Sequence, residues 1–123
     1  MPARCLIVED QALVAMSLEA YLEEAGIEVT ATFPSNTKAL KWLDAHTPEL
    51  ALVDVMLADG PCLKLARELK NRGIPFVIYS GLPPARDCPP ELREVPWLEK
   101  PAERAALTSA LVQLLASGMR VWN

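Results

Sequence analysis

Five side chains in this sequence could do chemistry together: Glu9, Asp10, Asp54, Ser80 and Lys100. Asp54 stands out, because a single carboxylate interrupts the apolar run Leu50-Ala51-Leu52-Val53-Asp54-Val55-Met56-Leu57. A charge held between Val53 and Val55 costs several kcal/mol unless something pairs with it. Three carboxylates gathered at one place would repel one another and raise each other's pKa. A hard divalent cation relieves that repulsion, and Mg2+ prefers oxygen ligands, keeps several waters and takes one or two carboxylates together with a phosphate. Lys100 adds a point charge suited to a phosphoryl oxygen, and the Ser80 hydroxyl can donate a hydrogen bond to the same group. A carboxylate can also be the nucleophile, forming an aspartyl phosphate. Phosphoryl transfer asks mainly for positioning and charge neutralisation, and these residues supply both once they meet.

Whether they meet depends on the elements that carry them. Arg4 to Val8 is a short apolar run of the kind buried on both faces of a sheet, and it ends at Glu9-Asp10. Gln11 to Ala25 has helical periodicity through Val14, Leu18, Tyr21, Leu22 and Ala25, with Gly26 as its stop. Glu28 to Phe33 reads as a second, more polar strand suited to a sheet edge. Pro34-Ser35-Asn36 offers caps for a helix over Thr37 to His46, buried through Ala39, Leu40 and Leu43. Pro48 ends it, and the Asp54 strand follows. Asp59-Gly60-Pro61 reads as the start of a helix carrying Cys62, Leu65, Ala66 and Leu69 on one face and closed by Gly73.

Pro75 to Tyr79 is a fourth strand, ending at Ser80-Gly81. Residues 82–96 contain five prolines, which leaves room for a turn or two around Glu91 to Glu94 and for no long helix. Trp97 to Glu99 is a last strand, ending at Lys100-Pro101. A final helix over Ala102 to Ser117 buries Leu107, Leu111, Leu114 and Leu115, with Gly118 as its stop. Strands alternating with helices mean a five-stranded parallel sheet covered on both faces, an α/β three-layer doubly wound sandwich. In such a sheet, ligands bind beyond the carboxyl ends of the strands. Glu9-Asp10, Asp54, Ser80 and Lys100 each fall at such an end, which core packing alone does not explain.

The bulk numbers exclude several alternatives. At 123 residues the chain makes one domain, and 51% apolar with 23% charged residues describes a globular protein. No apolar run approaches the roughly 18–20 residues that span a bilayer. A net charge of −4 speaks against a dedicated nucleic-acid binder. Cys5, Cys62 and Cys88 follow no metal-ligand spacing and read as buried or idle thiols in a reducing cytoplasm. His46, the only histidine, reads as the close of a helix, and the tail Met119 to Asn123 with Trp122 as packing or a frayed end. No Gly-rich phosphate loop is present.

With these residues in view, the sequence resembles the receiver domains of bacterial two-component response regulators. The resemblance rests on Val8-Glu9-Asp10, Leu52 to Met56, Gly60, Val77 to Gly81 and Trp97 to Pro101, and covers essentially the whole chain as one stand-alone receiver. It implies a flavodoxin-like fold with strand order 2-1-3-4-5, the fourth helix short or degenerate. It further implies that Asp54 takes the phosphoryl group from a histidine kinase or histidine phosphotransfer protein. Asp10, Asp54 and the backbone carbonyl of Met56 would hold Mg2+ (or Mn2+), with Glu9 acting nearby through water. Ser80 and Lys100 would contact the phosphoryl group, Ser80 would report its presence, and Trp97 occupies the place of the family's switch aromatic.

The expected protein is a cytoplasmic phosphoacceptor rather than an enzyme, capable at most of slow self-dephosphorylation. It would be a monomer or weak dimer signalling to a further protein, with no nucleic acid or membrane insertion. The alternative is a receiver-like scaffold that binds partners without being phosphorylated. A small Mg2+-dependent phosphatase would want a second catalytic acid two residues after the nucleophile, where this chain has Met56. Met56 and Leu82, each two residues beyond a site residue, could overhang the phosphoryl group and hinder water, giving a long-lived phospho-Asp54.

Overall fold

A computed structural model describes residues 3–83 and 89–117. Cys88, Gly118 and the tail with Trp122 lie outside the described residues. The chain runs β1 (Arg4–Val8), α1 (Ala12–Glu24), β2 (Glu28–Phe33), α2 (Asn36–Leu43), β3 (Leu50–Val53), β4 (Met56–Leu57), β5 (Gly60–Pro61), α3 (Leu63–Asn71), β6 (Phe76–Ser80), a 3-10 turn (Pro90–Leu92), β7 (Trp97–Glu99) and α4 (Arg104–Ser117).

Five strands form one parallel sheet in the order β2-β1-β3-β6-β7, while β4 and β5 pair antiparallel as a small separate ladder. Counting only strands of the main sheet, this is the expected order 2-1-3-4-5. The polar β2 is at an edge, as its composition predicts. Among its described residues the proline-rich stretch holds only the 3-10 turn, as expected.

Alternation along each strand splits the core in two. Leu6, Val8, Ala51, Val53, Phe76 and Ile78 face α2 and α3, where Ala39, Leu43, Leu65, Ala66 and Leu69 meet them. Cys5, Ile7, Leu50, Leu52, Val77 and Tyr79 face α1 and α4, against Leu18, Leu22, Leu107, Leu111 and Leu114. A period of two in strands and 3.6 in helices therefore produces the doubly wound layers directly.

Two helices end the same way, and the ends set where the next strand begins. Gly26 has φ +83° and Gly73 has φ +70°, a conformation costly for a residue with a Cβ. After α1, the Gly26 amide donates to Glu23 and the Ile27 amide to Leu22; after α3, Gly73 donates to Lys70 and Ile74 to Leu69. This is the Schellman arrangement, in which two orphan carbonyls are satisfied and the residue after the glycine turns inward. Ile27 on Leu22 and Ile74 on Leu69 are the buried apolar pairs it requires.

One sequence expectation fails here. Asp59-Gly60-Pro61 does not start α3: Gly60 and Pro61 form β5, and α3 begins after Cys62. Asp59 instead reaches the start of α2, where its carboxylate accepts from the Asn36 and Thr37 amides at 2.8 and 3.0 Å. A nearby helix with bare amides won the cap, a competition invisible to local sequence rules.

Candidate functional site

The carboxyl ends of β1, β3, β6 and β7 bring the expected residues together. Glu9 and Asp10 leave β1, Asp54 leaves β3 with its amide donating to the Val8 carbonyl at 3.0 Å, and Ser80 closes β6. Lys100 follows β7, its amide held by the Ser80 carbonyl at 2.7 Å. Glu9, Asp10 and Asp54 each place a carboxylate oxygen within 4.8 Å of the others. Glu9 and Asp54 are only 4% and 8% exposed, while Asp10 is open to solvent.

The partner that Asp54 requires is Lys100. Its ammonium lies 2.9 Å from Asp54 Oδ2 and 2.7 Å from Glu9 Oε1, and it also reaches Gln11 Oε1 at 3.3 Å. The Gln11 amide donates to Glu9 Oε2 at 3.0 Å. Burial pushes the Glu9 carboxyl above its ordinary range; Lys100 and the Gln11 amide pull against that, and the Asp54 charge adds to it. For Lys100, burial acts to lower the pKa, but hydrogen bonds and charges from Glu9 and Asp54 together outweigh it and hold the ammonium above its usual value. One ammonium thus bonds Glu9 and Asp54, and with Asp10 gathered beside them the cluster keeps a local excess of negative charge. That donor set fits a hard divalent cation: only oxygen ligands, one carboxylate open to solvent, and a charge deficit to be filled.

Ser80 is 3% exposed, and its Oγ accepts from the Leu82 amide at 3.2 Å, so its hydroxyl hydrogen is free of that bond. The Leu82 carbonyl in turn accepts from Trp97 Nε1 at 2.9 Å, which joins Ser80 and Trp97 through one residue. Met56 and Leu82 are both exposed, at 51% and 64%. His46 stacks on Trp42 and bonds the Trp42 carbonyl, away from the site residues.

Three contributors carry little or no signal in the sequence. Gln11 touches both Lys100 and Glu9; its place directly after the acid pair is the available signal. The Tyr79 hydroxyl accepts from the Ala102 amide, tying β6 to the segment after Lys100, and that pairing has no local signal. The third is Asp59, which binds the segment after Asp54 to α2.

A family model for the response regulator receiver domain matches residues 5–112. The chain belongs to that family. As a receiver domain it is 29% identical over 98% of its length to the transcriptional regulatory protein PdtaR of Mycobacterium tuberculosis, and spans 60% of that protein. It is 34% identical over 94% of its length to the phyllosphere-induced regulator PhyR of Methylorubrum extorquens, and spans 44% of it. Among solved structures, SdrG from Sphingomonas melonis superposes with a TM-score of 0.77 at 32% identity, covering 93% of this chain and 97% of that one. The curated relatives are therefore longer than the region this receiver shares with them. Among the described residues, no helix is long and apolar enough to cross a membrane.

Proposed function

We propose that this receiver is a phosphoacceptor switch of a two-component relay, with Asp54 as the acceptor. The observation that supports the reading best is the meeting of the Glu9, Asp10 and Asp54 carboxylates, with the Lys100 ammonium bonded to Glu9 and Asp54. A carboxylate oxygen of Asp54 attacks the phosphorus of a phosphohistidine on a kinase or phosphotransfer protein; the P–O bond forms as the P–N bond breaks, and the imidazole leaves. Mg2+ (or Mn2+) held by Asp10, Asp54 and the Met56 carbonyl, with Glu9 nearby, would neutralise charge on the phosphoryl oxygens. Lys100, already beside Asp54, transfers one of its hydrogen bonds to a phosphoryl oxygen. The Ser80 hydroxyl supplies a second, and its link through Leu82 carries the change to Trp97. The receiver acts in the cytoplasm and passes the signal by binding a further protein.

The test is the intact mass of wild type and Asp54→Asn after incubation with Mg2+ and acetyl phosphate. A phosphoryl adduct on wild type alone, abolished by prior chelation, is expected. Absence of an adduct with acetyl phosphate, beryllofluoride and candidate kinases would put the unphosphorylated scaffold first. The same adduct, followed after the donor is removed, reads the overhang of Met56 and Leu82. Replacing both by polar residues is expected to shorten its lifetime, and an unchanged lifetime would exclude that role.

A further inference from the structure

The segment between Asp54 and α3 is fastened to α2 more firmly than a loop needs. Its antiparallel ladder pairs Met56 with Pro61 and Leu57 with Gly60, and the Cys62 amide donates to the Val55 carbonyl at 2.7 Å. From the tip of this ladder Asp59 crosses to the first turn of α2. Oδ1 accepts from the Asn36 amide at 2.8 Å, and Oδ2 accepts from the Thr37 amide and hydroxyl at 3.0 and 2.9 Å. Asn36 replies through Nδ2, which donates to Asp59 Oδ1, the Gly60 carbonyl and the Pro61 carbonyl at 3.2, 3.4 and 3.0 Å. The Ala58 amide completes the join on the Pro34 carbonyl at 3.0 Å.

Two features separate this from ordinary capping. Helix α2 has its own cap, since Ser35 Oγ accepts from the Lys38 amide at 3.2 Å. Asn36 is 8% exposed, and its Oδ1 has no hydrogen-bond partner while its Nδ2 serves the ladder. A buried acceptor left bare is costly, so the side chain is oriented by what Nδ2 holds. The residue held in the middle of this segment is Met56, between the acceptor carboxylate and the clamp.

We propose that Asp59 is a positioning residue for the acceptor site: clamped on the first turn of α2, it fixes the segment carrying Met56 and thereby sets how tightly the site holds its divalent cation. The proposal rests on the phosphoacceptor reading, and its test separates the two. Mg2+ binding is measured by calorimetry on wild type, Asp59→Ala and Ser35→Ala, with the melting temperature of each recorded beside it. Ser35→Ala removes a cap from the same helix without touching the acceptor segment. Asp59→Ala is expected to weaken Mg2+ binding about tenfold, the range typical of groups that support metal ligands, while Ser35→Ala binds as wild type does. Asp59→Asn, which keeps one acceptor oxygen, falls between and covers the case in which the alanine variant fails to fold. Wild-type affinity in the Asp59 variants would overturn the clamp and leave the phosphoacceptor reading standing. Equal weakening in Ser35→Ala would reduce it to general stability of α2. A wild type that binds no Mg2+ removes the phosphoacceptor reading, and the clamp with it.

Discussion

Lys100 pairs with two buried carboxylates at once, and that pairing decides what substitutions at the site do. Its ammonium compensates Glu9 and Asp54, both nearly inaccessible to water. Removing one partner of a buried pair leaves the other charge unpaired, which costs about 3–5 kcal/mol. Lys100→Met is therefore expected to lower the stability measured by urea unfolding in metal-free buffer by an amount in that range. Asp10→Asn should do the reverse. Asp10 lies with the other two carboxylates but is exposed, so its removal relieves repulsion without leaving a buried charge bare. A gain of about 0.5–1 kcal/mol is expected, the size of a charge pair at short range in a watery environment. A loss of stability in Asp10→Asn would mean that the charge excess is compensated by something other than Lys100.

At the scale of elements, α2 depends on a carboxylate supplied by another part of the chain. The Asn36 and Thr37 amides hold the Asp59 carboxyl well below its usual value, at about 2. A depressed carboxylate pKa adds stability that is present above the unfolded-state value and disappears as pH falls through the folded one. The difference in melting temperature between wild type and Asp59→Asn is thus expected to be constant above about pH 5, and to close as pH falls below 4 toward 2. A gap independent of pH would show that geometry alone, without charge, carries the contact. Another tie between elements reaches the proline-rich segment, where the Arg67 guanidinium on α3 holds Glu91 at 2.7 Å. There too the hydrogen bond from Arg67 comes first among the groups that lower the carboxyl pKa. The 3-10 turn at Pro90–Leu92 is fixed in this way, and α3 provides the anchor.

The whole molecule has two apolar layers sharing one sheet, which makes its response to core changes readable. Ile7 points to α1 and α4, whereas Ile78 points to α2 and α3, and β3 lies between their strands. Trimming each to valine is expected to cost about 0.5–1.5 kcal/mol. The two losses should add within about 0.5 kcal/mol, because the sites share no packing partner. Unfolding should remain a single transition in the double variant, since neither layer can persist without the strands that carry the other. Two separate transitions by circular dichroism and tryptophan fluorescence would show that the layers unfold independently.

Periodicity in the sequence determined the alternation of strands and helices, and hence the parallel sheet with two covered faces. Apolar runs ending in Glu9-Asp10, Asp54, Ser80 and Lys100 also determined which residues share the carboxyl rim, because strand direction is common to all of them. These are local or additive properties, legible along the chain. Tertiary structure alone decided the pairings among groups far apart in sequence. Lys100 chooses Glu9 and Asp54 over water because both are buried beside it, and Gln11 joins them only once β1 and β7 stand in one sheet. Asp59 looked like the cap of the helix that follows it and became the cap of the helix before it. The reason is physical: a carboxylate bonds whichever unsatisfied amides the folded chain puts within about 3 Å, and sequence distance has no part in that choice.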